Sequence, residues 1–336
     1  MPTCTVRDVL IPLLSVYGPA GQEQAVARHL SDLLRPHADE TRTDALGNLI
    51  TIRRGKPGGK RILISAHMDH IGFIAIDADK QGFVRVANAG YIFVPHSQGQ
   101  HVMFGNGVRG VVYAEQDITG NPEMQHLFVD IGAQSRDEAL AKVAIGDVAV
   151  YAPLVSALGE HRLAAPAMDD RAGCALGAWL LLNAPQGPNE LVVLFSAQEE
   201  VGGRGAKVAA FALEPDIGLA LDVTDTGDTP GVKPKMAVEL GKGPAIKVRD
   251  SNLIASPLVR DALVAAAKEA GVPYQMEVLT IGGTDAGLIQ LARGGVPSGA
   301  LSIPTRYIHS AAETIDMRDL EQCGALLAAF AARSFD

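Results

Sequence analysis

The apolar run Leu191-Val192-Val193-Leu194-Phe195 ends in Ser196-Ala197-Gln198-Glu199-Glu200-Val201-Gly202-Gly203, after which a helical pattern begins. A short apolar run closed by glycines reads as a strand buried on both faces. Strands of that kind belong to sheets covered by helices, so this stretch points to an α/β layer fold. It also sets a chemical problem. Two adjacent carboxylates at the end of a buried strand repel each other and resist desolvation unless a cation offsets both. A solvated loop is the ordinary home of a Glu-Glu pair, but the strand before this one and the glycines after it argue against that.

The rest of the chain extends the same pattern. Apolar residues recur at helical spacing over 5–17, where Gly18-Pro19 stops the run, and again over 22–34. Short strands are expected at 40–43 and 49–53, followed by the apolar stretch Arg61-Ile62-Leu63-Ile64-Ser65-Ala66, which runs into His67-Met68-Asp69-His70. Over 73–162 the texture changes to short alternating runs, with Asn106-Gly107 as a hairpin signal and one short helix over 135–142. From Asp170 helix and strand alternate again. Helices are expected over 171–182, 205–212, 257–270, 285–291 and 317–332, and strands over 191–196, 217–222, 275–279 and 298–303. The expected fold is α/β: a mostly parallel sheet with helices on both faces, built from residues 1–72 and 163–336. A small β-rich, barrel-like domain over 73–162 interrupts it and is read as a dimerisation or oligomerisation module, because it offers no ligand of its own.

Composition narrows the function. With 47% hydrophobic and 20% charged residues the chain can build a large core, and its net charge of −9 argues against nucleic acid or an anionic membrane as partner. Cys4, Cys174 and Cys323 are too few and too scattered for a disulfide framework. The first residues lack the basic and apolar regions of a signal peptide, and no apolar run is long enough to span a bilayer, so a cytoplasmic location is expected.

Open α/β sheets carry their sites at the carboxyl ends of the strands. Reading those ends collects His67-Met68-Asp69, Glu199-Glu200 and Asp222, joined by Met168-Asp169-Asp170 before a helix and Tyr307-Ile308-His309-Ser310 after the last strand. Each has an ordinary use: Asp169 or Asp170 can cap a helix, Asp222 can close a turn, and a lone His is commonly a plain surface or core residue. Imidazoles and carboxylates gathered at one edge are instead the ligand set for zinc or a similar divalent ion, and this set exceeds the need of one tetrahedral ion. Two ions sharing a carboxylate fit the count.

These stretches, with Gly282-Gly283-Thr284-Asp285-Ala286, resemble the M42 family of dinuclear metallo-aminopeptidases, in family order across nearly the whole chain. The resemblance implies a zinc-exopeptidase-like fold and removal of N-terminal residues from short peptides. It makes His67 and Asp222 ligands of one metal, Glu200 and His309 ligands of the other, and Asp169 the bridge. Glu199 is then the general base, and Asp69, on the same strand face as His67, orients that imidazole. The resemblance also implies a cis peptide between Asp169 and Asp170. Zinc is the first expectation for the two ions, with cobalt and manganese as alternatives. Gly283, Thr284 and Asp285 are expected to shape the pocket for the first side chain, although that turn also reads as a helix start. Arg306, Lys233, Lys235 and Lys242 are the cations that could favour an acidic residue there. His70 departs from the family, which usually has Glu at that position, and is expected just outside the metal ligands. Family members form dimers, often closed into a twelve-subunit tetrahedron, so a homo-oligomer is expected. A deacylase or carboxypeptidase on the same dinuclear core is the alternative. A glycosidase would need two carboxyls about 5–10 Å apart and no histidine–carboxylate set, and a single Trp179 gives little for sugar stacking.

Overall fold

The computed structural model describes residues 4–232 and 236–335. The chain opens with α1 (Val6–Leu13) and α2 (Gln24–Leu34), then β1 (Glu40–Thr43), β2 (Leu49–Arg53) and β3 (Arg61–His67). Thr5 starts α1 by a reciprocal cap: its hydroxyl accepts from the Asp8 N–H, and the Asp8 carboxylate accepts from the Thr5 N–H. A second group of elements follows: β4 (Gly72–Ala78), β5 (Val84–Ala89), α3 (Val94–Ser97), β6 (His101–Phe104), β7 (Arg109–Ala114), β8 (Leu127–Asp130), α4 (Arg136–Lys142) and β9 (Val148–Tyr151). The chain then returns through β10 (Ser156–Leu158), β11 (Arg162–Ala165), α5 (Met168–Asn183), β12 (Glu190–Ser196), α6 (Arg204–Leu213) and β13 (Ile217–Thr224). It ends with β14 (Ala245–Arg249), α7 (Pro257–Ala270), β15 (Gln275–Val278), α8 (Asp285–Gln290), β16 (Ser298–Arg306), β17 (Glu313–Asp316) and α9 (Met317–Ala331).

The large sheet runs β1-β2-β12-β3-β13-β16-β17-β11-β10, with β14 beside β16 and β15 outside β14. Its centre, β12-β3-β13-β16, is parallel. The flanks are antiparallel, so the expected parallel strands form the centre of a mixed sheet. The connections explain this: β1–β2 and β16–β17 are joined by loops too short for the crossover that a parallel pair needs. Alternate residues of the central strands pack to opposite faces. Ile64, Val193, Phe195, Leu219 and Leu301 meet α1, α5, α7 and α9, whereas Leu63, Val192 and Leu194 meet Ala206, Ala209, Ala210 and Ile289 of α6 and α8. Each such side chain, fully buried, contributes about 1.5–3 kcal/mol. Helices thus cover both faces and leave the strand ends as the place for polar groups.

β4-β5-β8-β7-β6-β9 close into a separate barrel filled by Phe73, Val84, Val102, Phe104, Val112 and Val129. The expected Asn106-Gly107 turn joins β6 to β7, with Gly107 at φ +89° and the Asn106 side chain accepting from the Val108 N–H. The barrel ends at Tyr151, and β10 and β11 already pair into the large sheet, short of the expected boundary at 162. It also holds one helix more than expected, α3, whose first turn carries Pro95, a residue preset for that position.

Candidate metal centre

The strand ends converge as the parallel order requires. His67 closes β3, Glu199 and Glu200 follow β12, Asp222 sits near the end of β13, and His309 follows β16. Asp169 and Asp170 stand at the start of α5, with non-helical backbone angles and a cis peptide between them. Separately, four residues of the region take left-handed backbone: Ala167 (φ +62°), Gln198 (φ +59°), Tyr307 (φ +60°) and His309 (φ +62°). Strained conformations of this kind gather at functional sites.

The Asp169 carboxylate lies between the two imidazoles. Its Oδ1 is 2.9 Å from His67 Nε2 and its Oδ2 is 3.3 Å from His309 Nε2. On one side His67 Nε2 is 3.8 Å from Asp222 Oδ1, and on the other His309 Nε2 is 3.3 Å from Glu200 Oε2. Two sets of donors, each within 4.8 Å of one another, result: His67, Asp170 and Asp222, and Asp169, Glu200 and His309. Asp170 is an addition to the expected residues. Its carboxylate accepts from the backbone N–H of His67 at 3.2 Å and of Gly173 at 2.9 Å, tying α5 to β3.

Two supporting carboxylates hold these donors by their backbones. The Asp69 carboxylate also approaches the His67 ring, its Oδ1 3.7 Å from Nδ1. The His67 ring is met at Nδ1 by the main-chain carbonyl of Asp69 at 3.0 Å, whereas the Asp69 carboxylate accepts from the backbone N–H of Glu199 and Glu200 at 2.9 and 3.1 Å. Glu313 of β17, which the sequence reading missed, accepts from the N–H of Asp169 at 3.0 Å and of His309 at 2.7 Å. Its signal was faint: a charged residue four after His309, in a strand of four residues that are all buried. Among the described residues nothing donates a hydrogen bond to the Glu199 carboxylate.

Burial sets the electrostatics. It pushes Asp222, Glu199 and Asp170 well above the usual carboxylate range, and neighbouring carboxylates add to each. Burial also raises Glu313, to about 8, helped by Asp169. Burial opposes the charge on His309, but Glu200 and Asp169 outweigh it and carry the imidazole up to about 12. Buried oxygens of Asp169 (Oδ1) and Glu200 (Oε1) have no hydrogen bond of acceptable geometry. Carboxylates crowded this closely around two imidazoles, some of their buried oxygens unpartnered, are a donor set suited to divalent cations.

The residues expected to line a substrate pocket are tied into the structure around the start of α8. The Asp285 carboxylate is buried and accepts from the hydroxyls of Ser65 and Ser196, both at 2.6 Å, and Thr284 is buried with its hydroxyl 3.4 Å from Asp250. Gly283 packs so closely on Asn252 that a Cβ would meet the amide at 2.5 Å. Arg306 is engaged in a two-point pair with Asp228, Nε to Oδ1 at 2.9 Å and Nη2 to Oδ2 at 2.6 Å, so its charge is spoken for. Lys242 is exposed, and Lys233 and Lys235 lie outside the described residues. His70 is buried beside this region, its Nδ1 3.1 Å from the Ile71 carbonyl.

A family model described as M42 glutamyl aminopeptidase matches residues 47–326. A lysyl aminopeptidase of Pyrococcus furiosus is 36% identical over 94% of this chain and 93% of its own. Among solved structures, aminopeptidase APDkam598 from Desulfurococcus kamchatkensis superposes with a TM-score of 0.93 at 36% identity, covering 97% of this chain and 94% of that one. The TET1 peptidase of Pyrococcus horikoshii, described as assembling into a tetrahedron or a large octahedral shell, gives 0.84 at 30% identity, covering 97% and 98%.

Proposed function

The chain belongs to the M42 peptidase family and is a hydrolase of the aminopeptidase kind, and we propose that it removes N-terminal residues from short peptides at a dinuclear metal site. The observation that carries this reading is the Asp169 carboxylate, with one oxygen 2.9 Å from His67 and the other 3.3 Å from His309. His67 and Asp222 would hold one ion, Glu200 and His309 the other, and Asp169 both. Zinc is the ion we favour, with cobalt and manganese as alternatives to be tested. Divalent ions held there lower the pKa of water and polarise a carbonyl oxygen.

The chain's own groups do the remaining work. Glu199, whose carboxylate meets no hydrogen-bond donor among the described residues, takes a proton from the attacking water and delivers it to the leaving amine nitrogen. Asp69 fixes the Glu199 and Glu200 backbones, so that Glu200 faces His309 while Glu199 stays available. Glu313 fixes Asp169 and His309 in the same manner.

We extend the proposal to assembly. The barrel serves as the joining surface of a homo-oligomer, a dodecamer built from dimers, which admits short peptides and spares folded proteins. Among the described residues no helix is long and apolar enough to cross a membrane, and a cytoplasmic exopeptidase is the reading adopted here. A panel of aminoacyl-p-nitroanilides, assayed with zinc, cobalt or manganese returned to the metal-free enzyme, tests the activity. Cleavage is expected only with metal present. Metal-independent cleavage, or no cleavage of any member with every metal, would refute the reading.

A further inference from the structure

The barrel reaches the proposed metal ligands through the turn that follows β5. Gly90 there has φ +82°, and a Cβ on it would meet Ile71 Cγ2 at 2.8 Å and both Cβ and Oε2 of Glu200 at 3.1 Å. Only glycine permits that backbone to rest on the Glu200 side chain. The turn is pinned by Asn88, whose amide donates to the Gly90 carbonyl at 2.7 Å. The next residue, Tyr91, is 64% exposed, and its ring centroid stands 5.8 Å from that of His309 at a tilt of 50°. An aromatic ring is thus fixed at the edge of the Asp169, Glu200 and His309 group and left largely uncovered.

Resting on the aminopeptidase reading, we infer that Tyr91 is a substrate-binding residue supplied by the barrel, its ring packing against the second residue of the peptide. Two observations assign the side. The segment around Gly283 and Thr284 belongs to the Asp222 flank: the Thr284 hydroxyl meets Asp250, itself 3.9 Å from Lys247, and the charges of Lys247 and Asp285 both act on Asp222. Tyr91 instead adjoins His309 and, through Gly90, Glu200. A peptide whose first side chain turns toward Gly283 therefore carries its second residue past Tyr91. Aromatic faces suit peptide planes and apolar side chains, and a rigid exposed ring loses little freedom on binding.

The test compares two substrates sharing the first residue that the enzyme prefers: the aminoacyl amide, which has no second residue, and a tripeptide. In the metal-loaded enzyme, Tyr91→Ala is expected to raise KM for the tripeptide about fivefold to tenfold while changing the amide by less than about twofold. Tyr91→Phe, which keeps the ring, should match the wild type on both. Equal losses on the two substrates, or no loss on the tripeptide, would overturn the inference, as would a loss accompanied by a fall in metal content. A wild-type enzyme that cleaves neither substrate would overturn the aminopeptidase reading, and this inference with it.

Discussion

The α/β domain and the barrel both enclose apolar cores, but they treat charge in opposite ways. Among the described residues of Gly72–Tyr151 no carboxylate or imidazole is buried; Ser97 is the buried polar side chain there, and its hydroxyl pairs with that of Tyr151. In the α/β domain His67, Asp69, Asp169, Asp170, Asp222, Asp285 and Glu313 are all buried, gathered at one edge of one sheet. Apolar burial stabilises the fold wherever it occurs, whereas crowded acids lower stability unless something offsets them. The contrast separates residues kept for packing from residues kept despite their energetic cost, and the second kind marks the site.

The sharpest way to break that contrast is to remove what offsets the acids. Dialysis against a chelator is expected to abolish peptidase activity while the barrel stays folded, with activity returning when divalent ions are restored. Asp169→Ala should be worse than His67→Ala, because Asp169 is proposed to hold both ions and His67 only one. Elemental analysis of the two purified variants checks this. Full metal occupancy in Asp169→Ala would sink the bridging assignment.

The next effect in size separates two neighbours. Glu199→Gln is expected to lower kcat about 10²–10⁴-fold and leave metal content at the wild-type level. Loss of metal in this variant would exchange the proposed roles of Glu199 and Glu200. The barrel supplies the opposite case. Phe104 is fully buried in its core, so Phe104→Ala should cost about 3–5 kcal/mol of stability. Denaturant unfolding reads the loss, and metal content per folded subunit should not change. A Phe104→Ala protein that keeps its stability but loses metal would erase the distinction between the two regions.

Much of this was legible in the sequence, for a physical reason. The strands of the sheet centre are buried on both faces, so Ile62-Leu63-Ile64 and Leu191-Val192-Val193-Leu194 read as continuous apolar runs whose polar endings stand out. The short flanking strands lack that signal. β14 and β17 were missed because Ala245–Arg249 and Glu313–Asp316 mix charged and apolar residues, and tertiary pairing, not local pattern, makes them strands. The same limit hid how Asp69 and Glu313 act. Their carboxylates accept from backbone N–H groups more than a hundred residues away in the chain, and Glu313 also takes the nearby N–H of His309. Residue type and spacing carry no information about such long-range bonds. Arg306 shows the converse: its charge was visible, and its partner Asp228 was not.

The smallest expected effect falls at the seam between the two regions, where His70 precedes Gly72, the first residue of the barrel. Burial, together with the Arg171 guanidinium, holds the His70 imidazole down to about 3 from its ordinary 6.5. The folded protein therefore keeps this ring neutral at pH values where the unfolded chain protonates it. Above about pH 6.5 the difference costs nothing. As the pH falls from there toward 3, the unfolded state gains protons that the folded state refuses, and stability is lost at up to about 1.4 kcal/mol per unit. His70→Gln has no proton to gain in either state. At pH 7.5 the His70 ring is largely neutral in both the folded and the unfolded chain, so protonation contributes little to any difference between the two proteins there. Between pH 7 and pH 5, however, the wild type should lose about 1–2 kcal/mol more than His70→Gln. Urea unfolding of both proteins at the two pH values measures the difference. Equal acid losses in the two would show that the His70 ring does not account for the acid sensitivity.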